Sequence, residues 1–235
     1  MRETKEKLNI YILAGGFGTR LSDIIKDVPK PMAPIGDIPF LEYQIGLIKK
    51  YIEDYQLILL THYKSEIIEK HFLNNDKVIV IKEESPLGTG GAIKNAMKIV
   101  NQPATSPSLI LNGDSYIDVN YKKFIDDSIG SINILCTFQK KCERSSTLEI
   151  QNKIISKFNK QGVKKRDSYI STGCYYLKDS SILQNYPKEY FMIENLFEEI
   201  CSGNNLHAYT YKGYFIDIGI PEDYYRFCEL IRNEC

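Results

Sequence analysis

The fold of this 235-residue chain is decided by residues 10–34, IYILAGGFGTRLSDIIKDVPKPMAP. The stretch opens with an apolar run at residues 10–13, which predicts a buried strand. A glycine-rich turn follows. Glycine has no Cβ to hold the backbone away from a ligand, so the N–H groups of such a turn can converge on phosphate oxygens. The turn consists of Ala14, Gly15, Gly16, Phe17, Gly18 and Thr19.

Two cations accompany this turn. Arg20 follows it directly and carries a planar fork of donors suited to phosphate. Lys30 lies between Pro29 and Pro31, which restrict the backbone that presents it. The GxGxxG and GxxxxGK[ST] fingerprints are both missing, so neither standard nucleotide-binding motif applies. Strand, turn, arginine and lysine together predict a triphosphate-binding site.

Composition limits the classes of partner. The 30 basic and 30 acidic residues cancel, so bulk charge gives no reason to expect nucleic-acid or membrane binding. Hydrophobic residues make up 43% of the chain, which is enough for a sizeable core, and we find no apolar run long enough to span a bilayer. We therefore expect one domain over residues 1–235, with a charged, frayed segment at residues 1–8.

The cysteines indicate the redox compartment. They are scattered without CxxC spacing, which argues against a zinc site or a redox pair. We recognise no signal peptide, so we expect reduced thiols in a cytoplasmic protein. The three histidines (His62, His71, His207) have no metal-ligand spacing, and we expect them to be structural. The six cysteines are Cys136, Cys142, Cys174, Cys201, Cys228 and Cys235.

Strands alternate with helices through the first half of the chain. This order implies a mainly parallel sheet with right-handed crossovers, whose ligands lie at the carboxyl ends of the strands. Ala92, Ala96 and Ile99 form the predicted packing face of the third helix. The predicted strands are 10–13, 57–60, 77–81 and 109–111, and the predicted helices are 40–52, 65–72 and 90–100.

The pattern loosens past residue 121. We find no repeats or linkers, so we expect one continuous domain with a nucleotide-binding half at about 8–120 and an acceptor-binding half at about 121–235. The predicted strands here are 132–138, 147–150, 153–158, 169–177 and 206–211, and the predicted helices are 190–201 and one that begins at Pro221.

Two aspartates are candidate metal ligands. Asp114 follows an apolar strand in the sequence Leu-Asn-Gly-Asp, and Asp217 lies between Ile216 and Ile218. A carboxylate at a strand end can hold Mg²⁺, which prefers oxygen ligands and shares its shell with substrate phosphates. An unpaired charge among isoleucines would be costly to bury, so we expect the Asp217 carboxylate to reach water or a cation.

The motifs together resemble the signature of the sugar nucleotidyltransferases, also called nucleotide-sugar pyrophosphorylases. Their residues are similar to the motifs of the guanylyltransferases that act on D-glycero-D-manno-heptose 1-phosphate in bacterial surface-polysaccharide synthesis, such as capsule synthesis. The resemblance implies a three-layer Rossmann-like α/β fold, with helices on both faces of a mixed, mainly parallel sheet, and Mg²⁺ on Asp114 and Asp217. The motifs that carry it are the glycine turn, Lys30-Pro31, PLGTGGA at 86–92, Asn112-Gly113-Asp114, and FIDIG at 215–219 followed by Pro221-Glu222-Asp223-Tyr224.

In this family the PLGTGGA loop closes over the nucleobase, and a base-reading side chain precedes it, here Glu83 or Glu84. A carboxylate only accepts hydrogen bonds, so it suits guanine, which offers N1–H and N2–H₂ side by side. Cytosine stays open, uracil and thymine are disfavoured, and the backbone alone is a further candidate reader. The nucleotide-binding residues implied by the family are Leu13, Ala14, Gly15, Gly16, Gly18, Thr19, Glu83, Pro86, Gly88, Thr89, Asn112 and Gly113.

The acceptor side departs from the family. Asn159 stands where a Glu-Lys pair would have its glutamate, although Lys160 is retained. The usual Asn-Gly-Gly is replaced by Ser-Thr-Gly at 171–173, and Arg-Tyr-Gly by Arg-Ser-Ser at 144–146. Such changes are compatible with an unusual acceptor, including an open-chain polyol phosphate. The acceptor-binding residues that the family implies are Lys160, Thr172, Gly173 and Glu194.

The sequence therefore predicts a Mg²⁺-dependent enzyme that converts a nucleoside triphosphate, with GTP favoured, and a sugar or polyol phosphate into a nucleotide sugar and pyrophosphate. Its expected catalytic residues are Arg20, Lys30, Asp114 and Lys160. The alternatives are a CTP-dependent cytidylyltransferase, a non-catalytic nucleotide or sugar-phosphate sensor, and a glycosyltransferase. A homodimer stays open.

Overall fold

A nine-stranded sheet runs through the computed structural model, which describes residues 7–142, 144–160 and 166–234. The expectations about Cys235 and most of the first eight residues lie outside that part, whereas Leu8 already belongs to the first strand. The elements of the first half are β1 (Leu8–Leu13), a 3₁₀ turn (Lys30–Met32), β2 (Pro34–Ile35), β3 (Ile38–Pro39), α1 (Phe40–Tyr51), β4 (Tyr55–Thr61), α2 (Ser65–Phe72), β5 (Val78–Lys82), α3 (Gly88–Ile99), β6 (Ser108–Asn112) and β7 (Ser115–Ile117).

The second half adds more strands than helices. Its elements are α4 (Tyr121–Asp126), β8 (Ile132–Lys141), β9 (Thr147–Gln151), β10 (Ile154–Asn159), β11 (Arg166–Leu177), α5 (Ser181–Gln184), α6 (Ile193–Ile200), a 3₁₀ turn (Cys201–Gly203), β12 (Leu206–Tyr211), β13 (Phe215–Asp217) and α7 (Pro221–Glu234).

The main sheet is mixed, in the order β5-β4-β1-β6-β11-β8-β12-β10-β9. The strands from β5 to β6 are parallel, as the strand–helix alternation predicts. β11 is antiparallel to both β6 and β8, and the β9–β10 hairpin is antiparallel as well. Antiparallel neighbours need only short connections, which explains why the helical period fades in the second half. The parallel character is thus confined to the first half and to the β8–β12 pair.

Helices cover both faces of this sheet, so the three-layer α/β prediction is confirmed. One core packs α3 and α6 against the sheet, and the opposite core packs α1, α2 and α4. A third, smaller cluster joins α7 to the start of α1 through Phe40 and Phe227, whose ring centroids are 5.0 Å apart. Because β1, β4 and β6 are buried on both faces, their sequences are continuous apolar runs.

Two local predictions are wrong. Ile99, the last residue of α3, is 54% exposed, and the buried face of α3 runs through Ile93 and Met97. Helix α6 begins at Ile193 rather than at residue 190. The backbone before it is extended because the Phe191 N–H donates to the Leu87 carbonyl at 3.0 Å.

The described cysteines are free thiols, as expected. Among the described residues, no helix has the length and apolar character needed to cross a membrane.

Candidate active site

The glycine turn lies at the carboxyl ends of β1 and β4. Ala14 is buried and its N–H donates to the Leu60 carbonyl at 2.8 Å, which extends the parallel pairing by one residue. A Cβ on Gly15 would lie 3.1 Å from the backbone nitrogen of His62, whereas a Cβ on Gly16 would meet no heavy atom within 4 Å. The turn therefore packs on β4 at Gly15 and opens to a ligand at Gly16.

The Pro-Lys-Pro sequence folds into the 3₁₀ turn at Lys30–Met32. The Met32 and Ala33 N–H groups donate to the Pro29 and Lys30 carbonyls at 2.8 and 3.0 Å. The Lys30 side chain, which is 13% exposed, lies beside Gly18, and its Nζ donates to Asp114 Oδ2 at 2.6 Å. Gly18 has a φ of +63°, a value that glycine adopts without strain.

Asp114 is held by the turn between β6 and β7. The Gly113 N–H donates to the Leu13 carbonyl at 3.0 Å, and a Cβ on Gly113 would lie only 2.7 Å from that oxygen. Gln44 of α1 donates from Nε2 to the carbonyls of Asn112 and Ser115 at 2.7 and 2.5 Å. The backbone on both sides of Asp114 is therefore fixed.

Asp217 reaches the same place from β13, a short strand that pairs with β7 outside the main sheet. Asp217 is opposite Ser115 in that pair, and the Ile218 N–H donates to the Asp114 carbonyl at 2.9 Å. The two aspartates, about a hundred residues apart in sequence, become neighbours through this pairing.

Asp217 is half-buried beside a second carboxylate. Burial and the nearby Asp114 carboxylate raise the pKa of Asp217, against the smaller lowering effects of Lys30, Arg144 and the Gly219 N–H, which donates to Oδ1 at 2.6 Å. The described residues contain no cluster of three or more His, Cys, Asp or Glu side chains suited to a metal. Two adjacent carboxylates nevertheless fit a divalent cation that completes its shell with phosphate oxygens and water.

Two cavities meet at Asp114. The first, of about 390 Å³, lies over the glycine turn, and the second, of about 320 Å³, lies over β11 and the start of α6. Asn112, Asp114 and Met192 line both. The first cavity brings together the predicted residues Leu13, Gly15, Gly16, Glu83, Pro86, Gly88 and Thr89, and the second brings together Arg20, Lys160, Thr172, Gly173, Glu194 and Asp217.

The remaining predicted residues lie outside the linings of both cavities. Ala14 and Gly113 fix the strand ends, Gly18 packs on Lys30, and Thr19 is exposed, with its carbonyl accepting a hydrogen bond from Ser22 at 2.7 Å. Lys30 lies outside the lining of both cavities and contacts Asp114, which lines both.

Glu83 and Glu84 have different surroundings. Glu83 lines the first cavity, and its Oε1 accepts a hydrogen bond from the Leu87 N–H at 3.2 Å. Burial raises the pKa of its carboxyl group, against the lowering effects of Leu87 and His62. Glu84 is exposed and lies outside the cavity lining. The geometry favours Glu83 as the side chain that faces a ligand.

In the second cavity, Lys160 donates to Asn195 Oδ1 at 3.1 Å and pairs with Glu198 at 2.7 Å. Thr172 is buried and donates its hydroxyl hydrogen to the Leu135 carbonyl at 2.8 Å, so it holds the β11 bulge. Gly173, at φ +77°, lies against Asn112, where a Cβ would come within 2.3 Å of the amide nitrogen. These two residues therefore shape the cavity floor.

Sequence reasoning missed several lining residues. His62, expected to be structural, lines the first cavity, and its ring contacts that of Phe17 at a centroid distance of 5.6 Å. Its position two residues after the predicted strand 57–60 was a usable signal. Tyr175 lines the second cavity, and no local pattern marks it. Ser171 and Arg144, which belong to the altered family motifs at 171–173 and 144–146, line this cavity too, and Arg144 pairs with Asp223.

The glycines of the PLGTGGA loop serve packing as well as ligand access. Gly90 and Gly91 donate their N–H groups to the Phe191 carbonyl at 3.0 and 3.1 Å. A Cβ on Gly90 would lie 2.2 Å from the Phe191 ring, and a Cβ on Gly91 would lie 2.2 Å from the Glu189 carbonyl oxygen. The segment before α6 therefore packs directly against the start of α3.

We expect Gly91→Ala to lower the free energy of unfolding by about 2 kcal/mol or more, because a backbone carbonyl must move to admit the methyl group. Gly46→Ala is the matched control. Gly46 lies inside α1 with nothing within 4 Å of its Cβ position, so alanine should raise stability by about 0.5–1 kcal/mol. Urea unfolding of both variants measures the difference, and equal midpoints would contradict the packing role.

Comparison with known proteins agrees with this geometry. Residues 10–234 match the nucleotidyl transferase family. Over 231 residues the chain is 38% identical to a D-glycero-alpha-D-manno-heptose 1-phosphate guanylyltransferase of Campylobacter jejuni, covering 96% of this chain and 100% of the relative. A protein of the same description from Aneurinibacillus thermoaerophilus is 32% identical over 225 residues, covering 92% of this chain and 95% of that one.

A solved structure is also similar. HddC of Yersinia pseudotuberculosis, complexed with GMP-PN, superposes with a TM-score of 0.78 at 34% identity, covering 95% of this chain and 99% of HddC. The chain therefore belongs to the nucleotidyl transferase family. The resemblance read from its motifs and its predicted class, a nucleotidyl-transferring enzyme, are confirmed.

Proposed function

We propose that this enzyme transfers GMP from GTP to a sugar phosphate, with a heptose 1-phosphate as the favoured acceptor, and releases pyrophosphate. The carrying observation is the position of Asp114, on the shared wall of two cavities and 2.6 Å from Lys30. The heptose 1-phosphate guanylyltransferases and the GMP-PN complex among its relatives support this choice of substrates. The product is a nucleotide sugar suited to surface-polysaccharide synthesis.

In the proposed reaction, Lys160 orients the acceptor phosphate in the second cavity. One of its oxygens attacks the α-phosphorus of GTP, and the bond from that phosphorus to the bridging oxygen of the β-phosphate breaks. The attacking oxygen is already anionic, so the step requires no general base. Arg20, which lines the second cavity, and Lys30, which contacts Asp114 on the shared wall, are proposed to stabilise the departing pyrophosphate. Catalysis then consists of alignment and charge neutralisation.

We propose Asp114 and Asp217 as the residues that hold Mg²⁺. Enzymes of this family typically use a divalent metal, and the two adjacent carboxylates supply the hard oxygen donors that Mg²⁺ prefers. When bound, the cation would neutralise charge shared by the acceptor phosphate and the α-phosphate. The Lys30 ammonium contacts Asp114 at 2.6 Å and lowers the pKa of Asp217, so it offsets part of the negative charge of the pair.

The other site residues divide between the cavities. The glycine turn, Pro86 and the loop before α3 are proposed to surround the nucleoside and phosphates. Thr172 and Gly173 shape the acceptor floor, and Glu194 offers the acceptor a carboxylate. We also propose that residues 1–235 work as one domain in the cytoplasm. Whether it forms a homodimer is answered by analytical ultracentrifugation.

Glu83→Gln is expected to raise the KM for GTP by about tenfold, because the carboxylate accepts from guanine N1–H and N2–H₂ and an amide offers one acceptor and an unwanted donor. It should also reduce the ratio between kcat/KM for GTP and kcat/KM for the other nucleotides. Glu84→Gln is the matched control, since Glu84 is exposed and outside the cavity. Pyrophosphate release with each nucleotide measures both. Unchanged GTP preference in Glu83→Gln would show that the backbone reads the base.

The overall proposal is tested by pyrophosphate release with GTP, CTP, UTP and ATP against a panel of sugar and polyol phosphates. GTP with a heptose 1-phosphate is expected to give the highest kcat/KM. Preferred use of CTP with a polyol phosphate would instead establish the cytidylyltransferase, with which the altered acceptor residues are also compatible. Tight nucleotide binding without turnover on any acceptor would establish a sensor and overturn the proposal.

A further inference from the structure

The Thr89 hydroxyl group, between the two cavities, has two hydrogen-bond partners. Thr89 lies in the first turn of α3, and its Oγ1 donates to Glu194 Oε2 at 3.1 Å. The same oxygen accepts from the Ile193 N–H at 2.9 Å. Thr89 lines the first cavity and Glu194 the second. This contact therefore links the loop over the nucleotide to the carboxylate that faces the acceptor.

Backbone and side-chain contacts fix the spacing of the two segments. Lys94, which is buried, donates from Nζ to the Tyr186 carbonyl at 2.7 Å and to Glu189 Oε1 at 2.8 Å. The Phe191 carbonyl and N–H bond to the segment from Leu87 to Gly91, as described above. Because these bonds hold the backbones, loss of the Thr89 hydroxyl should leave the segments in place, although it removes the acceptor of the Ile193 N–H as well as the donor to Glu194.

Glu194 occupies a position where its orientation matters. Its neighbour Asn195 accepts the Lys160 hydrogen bond at 3.1 Å, so carboxylate and ammonium line one side of the second cavity. Burial raises the pKa of the Glu194 carboxyl group, against the lowering effects of a hydrogen bond from its own backbone N–H and of the Thr89 hydroxyl. The strand that carries Lys160 offers Asn159 rather than a glutamate. Glu194 on α6 and Lys160 therefore line the same cavity, while Lys160 itself pairs with Glu198.

We propose that Thr89 is a positioning residue for the acceptor. By holding Oε2 of Glu194, it leaves Oε1 to accept a hydrogen bond from an acceptor hydroxyl, in place of the glutamate that position 159 lacks. This inference rests on the proposed function. It assigns the Thr89 side chain to acceptor binding, although the residue belongs to the nucleotide loop, and it makes Glu194 the hydroxyl-reading residue of the sugar or polyol.

The test compares Thr89→Val, which keeps the shape but loses the hydroxyl, with Thr89→Ser, which retains it. In Thr89→Val the KM for the acceptor should rise about tenfold, the loss expected when a hydrogen bond to a charged group is removed. The KM for GTP should rise less than the KM for the acceptor, and Thr89→Ser should restore the acceptor KM. An unchanged acceptor KM, or an equal rise in both KM values, would overturn the inference.

A second measurement separates positioning from a general defect. In a Glu194→Ala background, the acceptor KM is already raised, and adding Thr89→Val should raise it no further, because the hydroxyl acts through Glu194. Additive effects would contradict the inference. If the wild-type chain turns over no acceptor, the proposed function fails and this inference with it. If the wild type is active and Thr89→Val matches it, only this inference fails.

Discussion

Asp114→Asn and Asp217→Asn should each lower kcat by about 10²–10³-fold, as removal of one preorganised electrostatic contact does. Each substitution keeps the side-chain shape and removes one negative charge from the pair that we propose holds Mg²⁺. Fewer charged ligands bind the cation more weakly, so the Mg²⁺ concentration for half-maximal rate should rise in both variants. Pyrophosphate release at saturating GTP and acceptor, titrated with Mg²⁺, measures both effects.

Asp126→Asn is the matched control for this pair. Asp126 forms an exposed pair with Lys122 on α4 and lines neither cavity, so its loss should leave kcat unchanged. The active-site variants should also unfold no more easily than the wild type, because removing one of two adjacent carboxylates relieves repulsion. Near-normal turnover and metal dependence in both variants would contradict the proposed mechanism.

The first half of the site could be predicted because its signals are local. The strand at Leu8–Leu13, the glycine turn and the Pro-Lys-Pro turn are contiguous, and each residue type indicates its own backbone requirement. Parallel strands joined by helices place their carboxyl ends together, so the convergence of the turn, Glu83 and Asp114 also followed from the order of elements.

The second half could not be predicted in the same way because its contacts join distant segments. Asp217 reaches Asp114 only through the β7–β13 pair, which is three residues long and has no periodic signature. The insertion of β11 between β6 and β8 likewise depends on pairings that no local pattern encodes. The family motif alone predicted that Asp217 belongs to the site. The structure gives the physical reason, which is that the β7–β13 pair brings Asp217 next to Asp114.

Glycines illustrate the same limit more sharply. Gly16 and Gly91 both lie in glycine-rich loops that indicate close approach of a ligand. Gly16 has open space where a Cβ would be, whereas Gly91 has the Glu189 carbonyl oxygen at 2.2 Å. The neighbour that requires Gly91 is almost a hundred residues away in sequence, so spacing alone cannot separate a packing glycine from a binding one.

Lys30→Ala should lower kcat by about 10²-fold or more and weaken GTP binding. Lys30 is 13% exposed and lies 2.6 Å from Asp114, so its loss removes a cation from the leaving pyrophosphate and leaves two adjacent carboxylates without their nearest ammonium group. Lys122→Ala is the control, because that lysine is 59% exposed and pairs only with surface Asp126. Pyrophosphate release and calorimetric titration with GTP measure the two effects.

The two roles of Lys30 can be separated by a double variant. If the lysine acts mainly by neutralising Asp114, Lys30→Ala should cost little once Asp114→Asn is present, since the charge to be balanced is gone. If it acts on the pyrophosphate, the two losses should approach additivity. We expect near-additive losses, because the divalent cation that we propose would neutralise Asp114 when nucleotide is bound and release the ammonium to the phosphates. A fully non-additive result would move Lys30 from the leaving group to the support of Asp114.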